Sequence, residues 1–243
     1  TIRTGLPSAD GGRPAFDDTG PVVLNDRPPG VSFSGGVILP RESEGKVPVT
    51  TVNVEKLEVR VLRVGDRLLS QLSQGLVDQN SLYSYDSENI ENQMGALVWK
   101  GTMAVEGAKN ATVTTLIPLH DAIKDKKAGV YLVLAKDAAA EKNIEQEWQG
   151  TAAQWVIDTD IGLTSFQGGD GLHIFARSLA GASPLTGVEI ALVAQNNEEL
   201  ARVRTDDNGG VHFNAELMKG KGGNQPVVVM ADSGSGDLAY LGL

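Results

Sequence analysis

Two tandem antiparallel β-sandwiches, an all-β chain with a short helical insert, are predicted by three observations. Apolar residues alternate with period two over most of the sequence, turn residues punctuate the alternating runs, and helical periodicity is confined to two short stretches. Residues 1–28 are too few for a sandwich and read as the end piece of a preceding module, with a hairpin around Ser8-Ala9-Asp10-Gly11-Gly12. The break after them is Asp26-Arg27-Pro28-Pro29-Gly30, because a proline pair stiffens an extended link and cannot donate to a central ladder.

The first sandwich is expected over 29–158, with strands at Val31 to Leu39, Val47 to Val54, Lys56 to Val64, Ala96 to Val105, Ala111 to Leu116, Val130 to Ala135 and Gln154 to Ile157. In Lys56 to Val64 the residues Leu57, Val59 and Val61 face one way and Glu58 and Arg60 the other, which predicts one wet face. The helical candidates lie between these strands. Asp66 to Leu76 carries Leu68, Leu69, Leu72 and Leu76 at helical spacing, and Ala138 to Trp148 is rich in Ala, Glu and Lys. The stretch 76–94, with Tyr83 and Tyr85, reads as a surface loop, its alternative being a contact surface for a neighbouring domain.

A boundary is expected at Asp158 to Ile161, where a closing strand through Trp155, Val156 and Ile157 gives way to glycine-punctuated sequence. The second sandwich, 159–243, has strands at Leu172 to Arg177, Val188 to Ala194, Glu199 to Thr205, Gly210 to Asn214, Pro226 to Ala231 and Leu238 to Leu241. Asn196-Asn197 and Asp206-Asp207-Asn208-Gly209-Gly210 supply residues that tolerate positive φ, as hairpin turns demand.

Composition narrows the partners. The 243 residues contain 21 Lys plus Arg against 31 Asp plus Glu, a net charge of −10, which argues against nucleic acid or an anionic membrane. No apolar run approaches the length that spans a bilayer, and no signal segment opens the chain. It starts at Thr1 rather than Met, so a processed or excised piece is expected. With 0 Cys there are no disulfides and no thiol nucleophile, and the compartment stays open.

No catalytic or metal-binding constellation is legible, and no cofactor is expected. The histidines His120, His173 and His212 lack the spacing of a metal site and read as strand-face residues. Counting from Asp206, the twelfth residue is Leu217, so the turn is no EF-hand. The glycine-rich stretches at 168–171 and 220–223 lead toward strands, not the helix a phosphate cradle needs. Ser, His and Asp are too scattered for a triad. Asn110-Ala111-Thr112 matches a glycosylation acceptor, and Trp99, Trp148 and Trp155 hint at a sugar-stacking platform, although Trp99 and Trp155 fall among apolar strand neighbours and read as core.

The last third carries a resemblance. Trp155-Val-Ile-Asp-Thr-Asp-Ile-Gly-Leu-Thr164 followed by Gly171-Leu-His-Ile-Phe-Ala-Arg-Ser-Leu179, then Pro184-Leu-Thr-Gly-Val-Glu-Ile-Ala-Leu192 and Thr205-Asp-Asp-Asn-Gly-Gly-Val-His-Phe213, resembles a macroglobulin-like domain of the bacterial α2-macroglobulins. Upstream, Asp26-Arg-Pro-Pro-Gly30, Leu39-Pro40 and Val47-Pro-Val-Thr-Thr-Val-Asn-Val54 are similar to the preceding domain of that family. The resemblance implies macroglobulin/fibronectin-III-like sandwiches and a non-catalytic structural segment of a periplasmic, broad-range protease-trapping inhibitor anchored to the inner membrane by a lipid. It implies as partners the neighbouring domains of the same chain and, through the full-length protein, target proteases, with no direct membrane insertion by these residues. With 0 Cys the sequence holds neither the family's Cys-Gly-Glu-Gln thioester nor a lipobox cysteine, and the resemblance implies a bait region beyond Leu243. The alternative from the residues alone is an Ig-like binding or adhesin module contacting cell-wall glycan or a protein partner.

Overall fold

Strand-forming alternation builds two stacked pairs of sheets in the computed structural model, which describes residues 2–17, 25–34, 38–64, 81–82, 95–123, 128–139 and 151–243. The chain runs β1 (Gly30–Phe33), β2 (Ile38–Pro40), β3 (Lys46–Val52), β4 (Lys56–Val64), β5 (Ser81–Leu82), β6 (Gly95–Ala104), β7 (Thr112–Pro118) and the single turn α1 (Leu119–Ala122). It continues through β8 (Gly129–Asp137), β9 (Thr151–Thr159), β10 (Ile161–Gly168), β11 (Gly171–Ser178), β12 (Glu189–Ala194), β13 (Glu199–Arg204), β14 (Gly210–Asn214), β15 (Pro226–Asp232) and β16 (Leu238–Gly242). Helical candidates at 66–76 and 138–148 fall outside the described residues, apart from a turn at 138–139, as do the stretch 83–94 and Trp148.

In the first sandwich a three-stranded sheet, β1-β3-β7, faces a six-stranded sheet in the order β2-β9-β8-β4-β6, with β5 also on β9. Between them lie Val49, Leu57, Val59, Val61, Ile117 and Tyr131, all at most 1% exposed. In the second, β10-β11-β14 covers β13-β12-β15-β16, enclosing Leu172, Ile174, Ile190, Leu192, Phe213 and Val229.

Several expectations change. The single strand anticipated at Val31 to Leu39 is two strands in opposite sheets: β1 pairs with β3, whereas β2 pairs with β9. That second pairing is parallel, so the first sandwich is not wholly antiparallel. Gly35 and Gly36 interrupt the apolar pattern between them, a local signal that one strand does not run through. The Asp206–Gly210 turn forms, with Asp206 Oδ1 accepting from the backbone N–H groups of Asn208 and Gly210, yet it is not a hairpin. It carries the chain from β13 in one sheet to β14 in the other. Asn196-Asn197 does close a hairpin, with Asn197 at φ 70 between the paired β12 and β13. Strand β10 has no forerunner in the alternation, because Gly162, Thr164, Ser165 and Gln167 dilute it.

The wet face expected of β4 is wet for only half its length. Glu58 and Arg60 are half-buried, and the same face continues with the buried Leu62 and Val64. In register beside them on β8 stand Leu132 and Val130, and on β9 Trp155 and Ile157. Strands β8 and β9 are therefore apolar on both faces, one packed on the sandwich core and the other on something outside it.

Candidate functional site

That outward apolar face meets the second sandwich. Leu238 joins the cluster formed by Leu62, Leu132 and Trp155, and Met230 and Tyr240 pack against it. Met230 and Tyr240 also pack on Ala191, Val193 and Val228, the outer face of the four-stranded sheet. Trp155 is only 2% exposed, so it serves this contact rather than a sugar platform, and Trp99 packs part-buried on the first core.

The covalent connection is one residue long. β9 ends at Thr159, β10 begins at Ile161, and Asp160 alone lies between. Its backbone N–H donates to Asp237 Oδ2 at 3.0 Å, its side-chain Oδ1 accepts from Ala180 N–H at 2.9 Å, and its carbonyl accepts from Leu179 N–H at 2.7 Å. On the other side of the link the Thr159 carbonyl accepts from Arg41 N–H, and Thr159 Oγ1 accepts from Ile161 N–H at 2.9 Å. Both backbone polar groups of the linking residue and one of its carboxylate oxygens are thus occupied, which removes the backbone freedom a hinge requires.

Beside the link sits a polar cleft of about 580 Å³ lined by Arg41, Ser43, His120, Asp158 and Asp160. Asp158 is 2% exposed and faces His120 Nε2 at 3.4 Å. Burial pushes its carboxyl above the ordinary value of 3.8; His120 and Arg41 oppose that shift, while Asp237 adds to it. Burial likewise raises the Tyr131 hydroxyl. His120 is held by its own backbone N–H, which donates to the Gly45 carbonyl. Gly45 has φ 61, and a Cβ there would overlap the His120 ring. Although Ser43, His120 and Asp158 share the cleft, no hydrogen bond joins Ser43 to His120 among the described residues; Ser43 Oγ instead accepts from Gly45 N–H. The cleft pairs an acid with a histidine but offers no activated nucleophile.

A second joint lies at the proline link. Asn110 Oδ1 accepts from Arg27 N–H at 2.8 Å and from Asn53 Nδ2 at 2.9 Å, and its Nδ2 donates to Asp26 Oδ1 at 3.0 Å. Arg27 Nη1 donates to the Asn110 carbonyl and to Thr112 Oγ1, both at 3.1 Å. Lys109 lies 2.6 Å from Asp26, and the hydrogen bonds from Lys109 and Asn110 hold the Asp26 carboxyl below its usual range. Each polar atom of the Asn110 amide group is committed to the link, which answers the glycosylation motif: that side chain already has partners within the chain.

The third cluster was not legible in sequence spacing. Strands β11 and β14 place His173 opposite His212, with rings stacked at 4.4 Å, and the β10–β11 turn brings Asp170 over both. Asp170 Oδ2 lies 2.9 Å from His173 Nε2 and 3.8 Å from His212 Nε2, and the Asp170 carbonyl lies 3.2 Å from His212 Nε2. His173 and His212 are 39 positions apart, so only strand register could have joined them.

Comparison with known proteins agrees with this architecture. The family model described as the bacterial alpha-2-macroglobulin MG2 domain matches residues 32–147, and the bacterial alpha-2-macroglobulin MG3 domain matches 158–243. The alpha-2-macroglobulin of Escherichia coli strain K12 is 28% identical over 193 residues, covering 79% of this chain and 11% of that protein. A crystal structure of native E. coli alpha-2-macroglobulin spanning domains NIE-MG1 aligns with a TM-score of 0.69 at 25% identity, over 88% of this chain and 97% of that one. Trypsin-activated alpha-2-macroglobulin from E. coli aligns at 0.65 and 26% identity, over 88% of this chain and 14% of that one. The chain thus spans about a ninth of the curated E. coli relative it matches.

Proposed function

Because the chain belongs to the bacterial alpha-2-macroglobulin family, we propose that its two sandwiches, at 29–158 and 159–243, form a rigid, non-catalytic arm of a protease-trapping inhibitor. Residues 1–28 are, in this reading, the end of a preceding macroglobulin-like module. The observation that carries the proposal is the joint: a one-residue link with both its backbone polar groups hydrogen-bonded, flanked by the Leu62–Leu132–Trp155–Leu238 cluster. Such a contact transmits the displacement of one domain to the next instead of absorbing it in a flexible linker. A relative whose structure is described as trypsin activated supports a protease as the trigger in the whole protein. The reactive chemistry belongs elsewhere, since the 243 residues hold 0 Cys and therefore no thioester.

The same reading puts the whole protein in the periplasm, held to the inner membrane by a lipid, with neighbouring domains as direct partners and target proteases met only through the full-length molecule. The net charge of −10 fits neither nucleic acid nor an anionic bilayer as a partner. The test is a protease-retention assay. The full-length protein should sequester trypsin from a macromolecular substrate after cleavage and compact on gel filtration, while the 243-residue chain alone leaves trypsin fully active. Failure of the full-length protein to retain protease, or stoichiometric inhibition by the isolated chain, would overturn it.

A further inference from the structure

From the outer face of the second sandwich we infer a binding site for a borderline divalent transition-metal ion, of which Zn²⁺ is the type, ligated by His173 Nε2, His212 Nε2 and Asp170 Oδ2. The site is built by three independent features of the fold. Alternation sends Leu172, Ile174, Val211 and Phe213 into the core, so the intervening His173 and His212 stand on the outer face. Antiparallel register then places these two directly opposite each other, and the stack at 4.4 Å with 23° between planes leaves both Nε2 atoms facing Asp170. Finally, the turn folds back tightly enough to carry the carboxylate over both rings. Gly171, at φ 134, makes this possible, because a Cβ there would overlap the Phe213 carbonyl oxygen.

The distances suit an ion. Ligand atoms about 2.0–2.1 Å from a tetrahedral zinc are separated by roughly 3.4 Å. The observed separations of 2.9 Å and 3.8 Å from Asp170 Oδ2 bracket that value, and all three ligand atoms lie within 4.8 Å of one another. Small rotations of the exposed side chains would complete the triangle. Two imidazole nitrogens with one carboxylate oxygen favour Zn²⁺, Cu²⁺ or Ni²⁺ over Mg²⁺ or Ca²⁺, which prefer oxygen donors. The side chains of His173 and His212 are 36% and 44% exposed, so an ion enters from solvent and retains room for a water ligand. A bound ion would strengthen the tie between the β10–β11 turn and β14, which the contact of Asp170 with His212 already begins.

The experiment is calorimetric titration of the untagged, metal-stripped 243-residue chain with ZnCl₂, with MgCl₂ in parallel and circular dichroism to confirm that each variant is folded. The expected result is one saturable Zn²⁺ site per chain with no Mg²⁺ binding, and affinity lowered by about tenfold or more in His173→Gln, His212→Gln and Asp170→Asn. Because these residues sit on an exposed face, the variants should keep the wild-type spectrum, and zinc should raise the melting temperature of the wild type alone. Absence of saturable binding, or binding that survives unchanged in the His173→Gln/His212→Gln double variant, would overturn the assignment.

Discussion

At the scale of single residues, the buried Asp158 is the group whose chemistry most directly affects stability. Its carboxyl is desolvated at the joint, with His120, Arg41 and Asp237 around it and the Tyr131 hydroxyl nearby. A carboxyl whose folded-state pKa lies above its unfolded value stabilises the fold when protonated. That contribution is complete below the ordinary 3.8 and is lost as pH rises through the raised folded-state value. Asp158→Asn keeps the shape and cannot ionise. Its stability relative to wild type should therefore increase from about pH 4 to about pH 8. Urea midpoints at the two pH values check this, and a difference that shrinks with rising pH would show that His120 and Arg41 outweigh the desolvation.

At the scale of elements, the links matter more than the strands. At the proline link Asn110 adopts φ 63 and its side chain bonds Asp26, Arg27 and Asn53 together, beside the Arg27–Thr112 bond and the Lys109–Asp26 ion pair. Asn110→Gly preserves the positive φ and deletes the side-chain bonds. Loss of one bond worth about 1 kcal/mol should speed exchange of the Arg27 amide hydrogen roughly five- to tenfold while leaving β3 and β7 unchanged, as hydrogen exchange read by NMR would record. Unchanged protection of Arg27 would mean that the link is held by the Lys109–Asp26 ion pair instead.

The elements also show what a sequence can reveal. Period-two alternation located β4 and β14, because a strand with one buried face writes that face into every second residue. Alternation does not say which sheet a strand joins. Hence β1 and β2 read as one strand, and the Asp206–Gly210 crossover read as a hairpin. The Asp170–His173–His212 cluster escaped for the same reason, since its members are neighbours only through register. The apolar outer faces of β8 and β9 find their partner on β16, which no local pattern names.

At the scale of the whole molecule, a two-sandwich arm follows from local rules applied twice, with a joint that local rules do not specify. The first sandwich presents Leu62, Leu132 and Trp155 outward, the second presents Met230, Leu238 and Tyr240, and a single residue connects them. If the arm serves a protein that changes shape when cut, its two halves must keep one relative orientation. The absence of cysteine allows this to be measured cleanly, because labels can be placed at two introduced thiols only. Thr102 on β6 and Val203 on β13 are exposed positions, one on each sandwich. Electron–electron double resonance on the spin-labelled Thr102→Cys/Val203→Cys chain should give a single narrow distance distribution. A broad or multimodal distribution would show the sandwiches moving independently and would contradict the rigid arm.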